Sequence, residues 1–172
     1  MSDNSHEGVL VWITGLAGSG KSTLAGELIR NLEIRGVKTV LVDGDIVREL
    51  FENDLGHTMQ DRLKNAYRVA KLCHWLTEQG LIVICATVSL FHEVHSYNRK
   101  VNKNYYEILL ETDINVLNSR NKKNLYVENA ENVMGRDQIA EFPKNPTYRG
   151  KSHDEKDLQN NIEFIIKLIG IS

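Results

Sequence analysis

The sequence predicts an α/β fold in which a parallel β-sheet is covered by helices on both faces. Short apolar runs, typical of strands buried on both sides, alternate with segments whose apolar residues recur at helical spacing. A glycine-rich turn joins the first such strand to the first such helix. The length of 172 residues suits one domain with a substantial core. We therefore expect a single domain over residues 1–172.

In the first half of the chain, the hydrophobic pattern predicts two strands and two helices. The apolar run Val9–Thr14 ends at a glycine and predicts a buried strand. Apolar residues at helical spacing follow the glycines and predict a helix that ends at Gly36. The run Lys38–Val42 predicts a second strand, and helical spacing within Asp61–Gln79 predicts a long helix ended by Gly80.

The second half continues the alternation. Leu81–Ala86 is the most apolar segment and predicts a central strand, and Tyr105–Glu111 predicts another. A short helix is predicted over Asp113–Arg120, and a closing helix over Asp154–Ile169. Residues 121–148 are polar, contain both prolines and show no clean period. Because a long irregular segment in a compact domain is usually functional, we expect these residues to form a lid.

Composition and charge exclude several classes of protein. The net charge of −2 gives no support for a nucleic-acid polymer as partner. The apolar runs are far shorter than the roughly 20 residues that span a bilayer, and the polar start lacks a signal-peptide pattern. We expect a cytoplasmic protein that does not associate with membranes.

Cysteine and histidine residues give little support for a disulfide or a metal centre. Cys73 and Cys85 lie in apolar segments and predict buried, reduced thiols. His92 and His95 have the spacing of a metal pair, but no third ligand follows at useful spacing. A solvated helix face is the favoured interpretation of the two histidines.

The glycine-rich stretch predicts a nucleoside triphosphate site. Gly15–Ser22, "GLAGSGKS", matches the pattern G-x-x-x-x-G-K-[ST] between a predicted strand and a predicted helix. Its backbone N–H groups and the helix N-terminus suit phosphate, Lys21 would reach the outer phosphates, and Ser22 would hold Mg²⁺. The expected cofactors are ATP and Mg²⁺. The predicted ATP-binding residues are Gly15, Leu16, Ala17, Gly18, Ser19, Gly20, Lys21, Ser22, Thr23 and Arg120.

The rest of the sequence narrows the class of nucleotide-binding protein. The stretch "NKKN" at 121–124 is not the N-K-x-D with which a GTPase switch recognises guanine. A motor or transporter ATPase would usually be longer. The size therefore favours a small-molecule kinase.

Two aspartates follow the second predicted strand. Asp43 and Asp45 lie at the carboxyl edge, where open α/β sheets bind ligands. Carboxylates there can orient Mg²⁺ or accept the proton of an attacking hydroxyl; the alternative is a turn with a helix N-cap at Asp45. Arg48, one helical turn on, suits an acceptor phosphate, with a surface arginine as the alternative.

These motifs resemble the adenylylsulfate kinase family. The resemblance rests on "GLAGSGKST", "VDGDIVR", "NDLGH…DR..N..R" and "NLY…GRD…P.NP", and it spans about 9–146. That family transfers the γ-phosphate of ATP to the 3′-hydroxyl of adenosine 5′-phosphosulfate. The resemblance implies a P-loop NTPase fold with a C-terminal lid segment, a small-molecule nucleotide acceptor and a possible homodimer.

The resemblance also implies roles for single residues. It implies catalytic roles for Lys21, Asp43 and Asp45, and it implies that Ser22 and Asp45 are metal ligands. The implied acceptor-binding residues are Asp45, Arg48, His57, Arg62, Asn65, Ser89, Val133, Gly135 and Asp137.

Departures from the family pattern concentrate on the acceptor side. Ile46 stands where the family has asparagine, and His57 and Val133 stand where it has two phenylalanines that clamp adenine. Stacking of that kind is worth on the order of 1–3 kcal/mol per base, so we expect weaker purine binding unless His57 stacks in place of phenylalanine. "SLFH" at 89–92 lacks the family's arginine, and "NLYVE" at 124–128 lacks two lysines.

The departures predict the same phosphoryl transfer to a different acceptor. A related group of adenylylsulfate kinase-like enzymes, from gene clusters for phosphoramidate-decorated capsules, phosphorylates the ribose 3′-hydroxyl of cytidine diphosphoramidate. This group resembles the chain in its length and in its departures on the acceptor side, and that resemblance favours the cytidine acceptor. The residues alone support only a change of acceptor, with which a smaller and more weakly stacking base is compatible. The alternatives are adenylylsulfate kinase, another nucleotide or sugar kinase, and a regulatory module that binds nucleotide without transfer.

Overall fold

Five strands and six helices make up the described part of the chain, which in this computed structural model covers residues 7–120 and 133–171. The strands are β1 (Val9–Thr14), β2 (Thr39–Asp43), β3 (Ile82–Ala86), β4 (Asn104–Glu111) and β5 (Tyr148–Lys151). The helices are α1 (Lys21–Ile34), α2 (Gly44–Leu50), α3 (Met59–Glu78), α4 (His92–Val101), α5 (Ile114–Ser119) and α6 (Glu155–Leu168). The strands form one parallel sheet in the order β2-β3-β1-β4-β5.

The central strand β1 divides the core into two halves. Successive side chains of a strand point to opposite faces of the sheet. Leu10 and Trp12 accordingly pack in the cluster that contains α3 and α4, and Val11 and Ile13 pack in the cluster that contains α1 and α6. All four side chains are completely buried. The sheet is therefore covered on both faces, as the apolar strands predict.

The predicted fold class is confirmed, and the predicted elements agree with the structure to within two residues at each end. The hydrophobic pattern did not predict β5, and α2 and α4 were expected without bounds, only as a possible helix cap at Asp45 and a helix face at His92 and His95. β5 has no apolar run to reveal it, because its four residues read "YRGK" and only Gly150 is buried. In the segment predicted to be irregular, residues 133–147 contain only an isolated bridge between Met134 and Gln138, and β5 begins at Tyr148. Residues 121–132 lie outside the described chain.

Two predictions about single residues need correction. The helix cap that the sequence suggested at Asp45 is on Asp43, whose side chain accepts a hydrogen bond from the backbone N–H of Asp45. His95 is not on a solvated face, because it points from α4 into the core and is only 4% exposed. The prediction of buried free thiols at Cys73 and Cys85 is confirmed.

No helix in the part of the chain that the structure describes has the length and apolar character needed to cross a membrane.

Candidate active site

A cavity of about 930 Å³ opens at the carboxyl ends of the parallel strands. This edge is where open α/β sheets bind ligands. Its wall combines the glycine-rich turn before α1, the ends of β2 and β3, the first turns of α3, and residues around α6. The topology therefore brings widely separated parts of the sequence to one site.

The glycine-rich turn has the backbone conformation that its sequence requires. Gly18 and Gly20 have φ angles of 80° and 90°, in the left-handed region that favours glycine. The Lys21 side chain folds back over the turn, and its Nζ donates a hydrogen bond to the Leu16 carbonyl at 2.7 Å. Its backbone is thus preformed and Lys21 lines the cavity, an arrangement that suits a phosphate chain.

Both carboxylate oxygens of Asp43 have hydrogen-bond donors. Oδ2 accepts the Ser22 hydroxyl at 2.9 Å, and Oδ1 accepts the Asp45 N–H at 2.8 Å. The structure therefore pairs Ser22 with Asp43, whereas the sequence analysis paired Ser22 with Asp45 as the metal ligands.

A hydroxyl and a carboxylate are the hard oxygen ligands that Mg²⁺ prefers. No cluster of three or more His, Cys, Asp or Glu side chains suited to a metal occurs among residues 7–120 and 133–171. The oxygens of Ser22 and Asp43 fit an ion that takes its other ligands from water and the nucleotide phosphates, as Mg²⁺ does in P-loop kinases.

The wall of the cavity also carries two arginines, Arg48 and Arg62. Arg48 Nη1 donates to the carbonyls of Leu55 and Gly56 at 3.1 and 3.0 Å, and Arg62 Nε donates to the His57 carbonyl at 3.2 Å. Burial lowers the pKa of both guanidinium groups, but both stay charged near neutral pH. Two positive charges in a partly buried wall favour an anionic ligand.

His57 lines the same wall. Burial lowers the pKa of its imidazole, and the charges of Arg62 and Arg48 lower it further. The ring is therefore predominantly neutral at pH 7. A neutral ring next to two cations suits contact with an uncharged base.

The ends of α3 and β3 add polar side chains to the cavity. Asn65 is buried, and its Oδ1 has no hydrogen-bond partner within residues 7–120 and 133–171. Ser89 is buried beside Thr87, with 2.9 Å between the two hydroxyl oxygens. The sequence analysis missed Thr87, although its position two residues before Ser89 places both side chains on the same side of the extended chain.

Arg120 connects the end of α5 to the segment between β5 and α6. Its Nη1 donates to the carbonyl and the hydroxyl of Ser152 at 2.9 and 3.2 Å, and its Nη2 donates to the His153 carbonyl at 2.9 Å. Arg120 and Ser152 both line the cavity, next to the glycine-rich turn. This position is compatible with the predicted contact to ATP.

The turn at 133–138 contains three of the predicted acceptor-binding residues, and they differ in whether they reach the cavity. Val133 lines the cavity, whereas Gly135 and Asp137 do not. The Asp137 carboxylate accepts the Val133 N–H at 3.0 Å and so closes the turn. Gly135 has a φ of 85° and lies against the side chain of Leu16. Gly135 therefore lies against the glycine-rich turn and Asp137 closes the turn at 133–138, and this geometry does not support their predicted contact with an acceptor.

Most of the predicted site residues meet in the cavity. Those that line it are Ala17, Gly18, Gly20, Lys21, Ser22, Thr23, Asp43, Asp45, Arg48, His57, Arg62, Asn65, Ser89, Arg120 and Val133. Those that do not line it are Gly15, Leu16, Ser19, Gly135 and Asp137.

The structure also locates the departures from the family pattern. Ile46 is half exposed and does not line the cavity. His92, at the position of the missing arginine, does not line it either, because its ring nitrogen Nε2 contacts the Phe142 carbonyl at 2.9 Å. The stretches at 121–124 and 124–128 lie outside the described residues. The departures that do reach the cavity are therefore His57 and Val133.

Comparison with known proteins agrees with this geometry. The family model described as adenylylsulphate kinase matches residues 7–149. A cytidine diphosphoramidate kinase of Campylobacter jejuni is 37% identical, over 94% of this chain and 96% of its own length. An adenylyl-sulfate kinase of Clostridium kluyveri is 38% identical, over 82% of this chain and 73% of its own.

A solved structure of an adenylylsulfate kinase has the same fold as this chain. The adenylylsulfate kinase CysC of Mycobacterium tuberculosis, in complex with AMPPNP and APS, superposes with a TM-score of 0.86 at 29% identity and covers 95% of this chain and 98% of its own. The chain belongs to the adenylylsulfate kinase family and is an ATP-dependent phosphotransferase.

Proposed function

We propose that the protein transfers the γ-phosphate of ATP to the ribose 3′-hydroxyl of cytidine diphosphoramidate. The observation that carries the proposal is the composition of the cavity wall. Phe91 is the single phenylalanine, tyrosine or tryptophan among the described lining residues, and the lining also includes His57 and Val133, which by the resemblance replace the family's adenine clamp. A wall with so little aromatic surface suits a pyrimidine better than a purine, because a larger base gains more from stacking.

Similarity supports the same acceptor. The Campylobacter jejuni relative is a cytidine diphosphoramidate kinase, and the similarity covers nearly the full length of both chains. By this analogy the product would serve the biosynthesis of a phosphoramidate-decorated capsule polysaccharide.

The proposed reaction is an in-line transfer between two sides of one cavity. The 3′-oxygen of the acceptor attacks the γ-phosphorus, the bond from that phosphorus to the β,γ-bridging oxygen breaks, and ADP leaves. Lys21 neutralises charge on the β- and γ-phosphates. When Mg²⁺ is bound at Ser22 and Asp43, it supplies further positive charge to the phosphates.

The two aspartates have different roles in this proposal. Both oxygens of Asp43 are engaged, with Ser22 and with the Asp45 N–H, which assigns Asp43 to the nucleotide side. Asp45 lies in the cavity wall with Arg48 and Arg62. We assign Asp45 to the acceptor side, where its carboxylate takes the proton of the 3′-hydroxyl.

The acceptor wall fits the rest of the proposed ligand. Arg48 and Arg62 would bind the diphosphoramidate chain through charged hydrogen bonds. His57, neutral at pH 7, would place its ring on the cytosine. The lid predicted from the sequence over 121–148 would exclude water, which would otherwise hydrolyse ATP. It remains a prediction, because residues 121–132 lie outside the described chain and Tyr148 begins β5. A homodimer and a cytoplasmic location remain predictions from the sequence.

Adenylylsulfate kinase is the second candidate function. It is favoured by the family model and by the Mycobacterium tuberculosis complex, which holds APS in a fold of the same shape. A regulatory module without transfer is disfavoured, because Lys21, Ser22 and Asp43 come together in one wall. Binding alone does not require that arrangement.

Product analysis tests the proposed reaction. The protein is incubated with ATP, Mg²⁺ and cytidine diphosphoramidate, and the products are identified by ³¹P NMR. A new phosphomonoester coupled to the ribose 3′-proton is expected, together with one ADP per product. Lys21→Ala should abolish the signal while the exposed control Lys38→Ala retains it. Phosphorylation at another position, or full activity in Lys21→Ala, would contradict the mechanism.

A further inference from the structure

Two hydroxyl side chains form a buried pair at the end of β3. Thr87 and Ser89 are 7% and 8% exposed, and both line the active-site cavity. Thr87 Oγ1 and Ser89 Oγ lie 2.9 Å apart, within hydrogen-bond distance. No function assigned so far involves Thr87.

Counting protons shows that this pair can still donate a hydrogen bond. Each hydroxyl carries one proton, and one hydrogen bond between the two oxygens uses only one of them. Neither side chain makes a further hydrogen bond within residues 7–120 and 133–171. One hydroxyl proton of the pair is therefore available to donate a hydrogen bond to a ligand in the cavity. Such a bond would be favourable, because a buried donor without a partner raises the free energy.

The backbone that carries the pair is fixed in place. The Thr14 hydroxyl donates to the Val88 carbonyl at 2.7 Å. The Ser89 carbonyl lies 2.9 Å from His95 Nε2, and because a carbonyl only accepts, Nε2 must carry the proton. These contacts, one to the residue between Thr87 and Ser89 and one to Ser89 itself, limit motion of the backbone that carries the pair, as expected of a preorganised binding site.

The hydroxyl of Thr87 lies against the turn that carries the catalytic aspartates. A Cβ atom added to Gly44 would stand 2.7 Å from Thr87 Oγ1, so the hydroxyl is in close contact with the backbone between Asp43 and Asp45. The pair is thus next to the place where, in the proposed function, Asp45 receives the proton of the acceptor.

We propose that Thr87 is an acceptor-positioning residue, whose hydroxyl, paired with Ser89, donates a hydrogen bond to an uncharged oxygen or ring nitrogen of the acceptor nucleoside. This inference rests on the proposed function. Arg48 and Arg62 already supply charged donors for the phosphate chain. A neutral donor beside Gly44 therefore suits the ribose or the base, and it fixes the distance between the nucleoside and Asp45.

Steady-state kinetics of three variants test the proposal. Thr87→Val removes the hydroxyl and keeps the shape, and Thr87→Ser keeps the hydroxyl. Thr39→Val is the matched control, because its buried hydroxyl lies in β2 away from the cavity. We expect Thr87→Val to raise the acceptor KM about five- to tenfold, as for the loss of one neutral hydrogen bond. The KM for ATP should stay within roughly twofold of the wild-type value in every variant. Thr87→Ser should keep an acceptor KM close to that of the wild type.

An unchanged acceptor KM in Thr87→Val, or an equal rise in both KM values, would overturn the proposal. Acceptor affinity is also measured by calorimetry with AMPPNP present, so that the comparison does not depend on turnover. If the wild-type protein neither binds nor phosphorylates cytidine diphosphoramidate, the proposed function fails. The same variants are then assayed with adenosine 5′-phosphosulfate as the acceptor. A wild-type protein that binds neither compound would overturn both proposals.

Discussion

The Ser22 hydroxyl donates a hydrogen bond of 2.9 Å to Oδ2 of Asp43. This contact joins the start of α1 to the end of β2, and so connects the glycine-rich turn to the turn that carries Asp45. The same carboxylate caps α2 through the Asp45 N–H. One side chain therefore serves the nucleotide site and the local fold together.

The double role of Asp43 predicts that two substitutions have different effects. Asp43→Asn keeps a good helix cap but loses the negative charge. We expect it to unfold at nearly the wild-type temperature, with a much higher Mg²⁺ requirement. Asp43→Ala also loses the cap and should cost about 0.5–2 kcal/mol of unfolding free energy.

Denaturant unfolding and Mg²⁺ titrations of activity measure these two effects. Asp45→Asn is the comparison variant, since it should lower kcat without changing the Mg²⁺ requirement. Equal Mg²⁺ dependence in Asp43→Asn and Asp45→Asn would argue against the assignment of Asp43 to the nucleotide side.

Gly135 predicts a link between the turn at 133–138 and ATP binding. Its φ of 85° disfavours any other residue, and an added Cβ would stand 2.6 Å from Leu16 Cδ2 in the glycine-rich turn. Gly135→Ala should therefore raise the KM for ATP as well as lower stability. Gly170→Ala is a matched control, because Gly170 has a φ of 74° and its added Cβ would meet no atom of the described residues within 4 Å.

Steady-state kinetics and thermal melts distinguish the two glycine variants. Both should lose stability through backbone strain, whereas only Gly135→Ala should bind ATP more weakly. If the two variants had the same KM for ATP, the contact with Leu16 would have no influence on the nucleotide site.

His95 predicts a loss of stability in mild acid. Burial lowers the pKa of its imidazole below 6.5 in the folded protein, and the charges of His92 and Arg99 add to that effect, while Glu107 and the Ser89 carbonyl oppose it. The unfolded chain therefore binds a proton first as the pH falls. The contribution of His95 to stability is complete above pH 6.5 and declines from there down to the folded-state pKa.

Thermal melts between pH 7.5 and pH 5.5 measure this dependence. His95→Gln can keep a donor for the Ser89 carbonyl without titrating, so its melting temperature should depend less on pH than that of the wild type. An unaltered pH dependence in His95→Gln would show that other groups, such as His57, dominate in this range.

The sequence predicted the fold well where hydrophobic periodicity was strong. The apolar runs of β1, β3 and β4 and the periodic helices α1, α3 and α6 were recognisable locally. β5 was missed because its four residues, "YRGK", contain no apolar run and only Gly150 is buried. α4 was expected only as a solvated helix face at His92 and His95, because its buried face includes polar side chains, His95 and Asn98.

The candidate site was predictable to the extent that it follows local motifs. The P-loop and the Asp43–Asp45 turn are continuous in sequence, and the structure brings both to the cavity. Three contacts were not predictable in this way, because they depend on how β2, β3 and the segment after residue 132 meet. They are the hydrogen bond from Ser22 to Asp43, the contact of Gly135 with Leu16, and the Thr87–Ser89 pair. Such contacts between distant segments are not encoded in the spacing of one motif.

A direct comparison of two acceptors tests the central claim. The measurement is kcat/KM for ADP release from ATP and Mg²⁺, with cytidine diphosphoramidate and adenosine 5′-phosphosulfate assayed in parallel. If the cavity with His57 and Val133 is adapted to a small base, kcat/KM should be higher for the cytidine compound. We expect a difference of about tenfold or more, because adenine would lose the stacking energy that two phenylalanines supply. A higher kcat/KM for adenosine 5′-phosphosulfate would contradict the proposed acceptor and identify the protein as an adenylylsulfate kinase that has lost both phenylalanines of the adenine clamp.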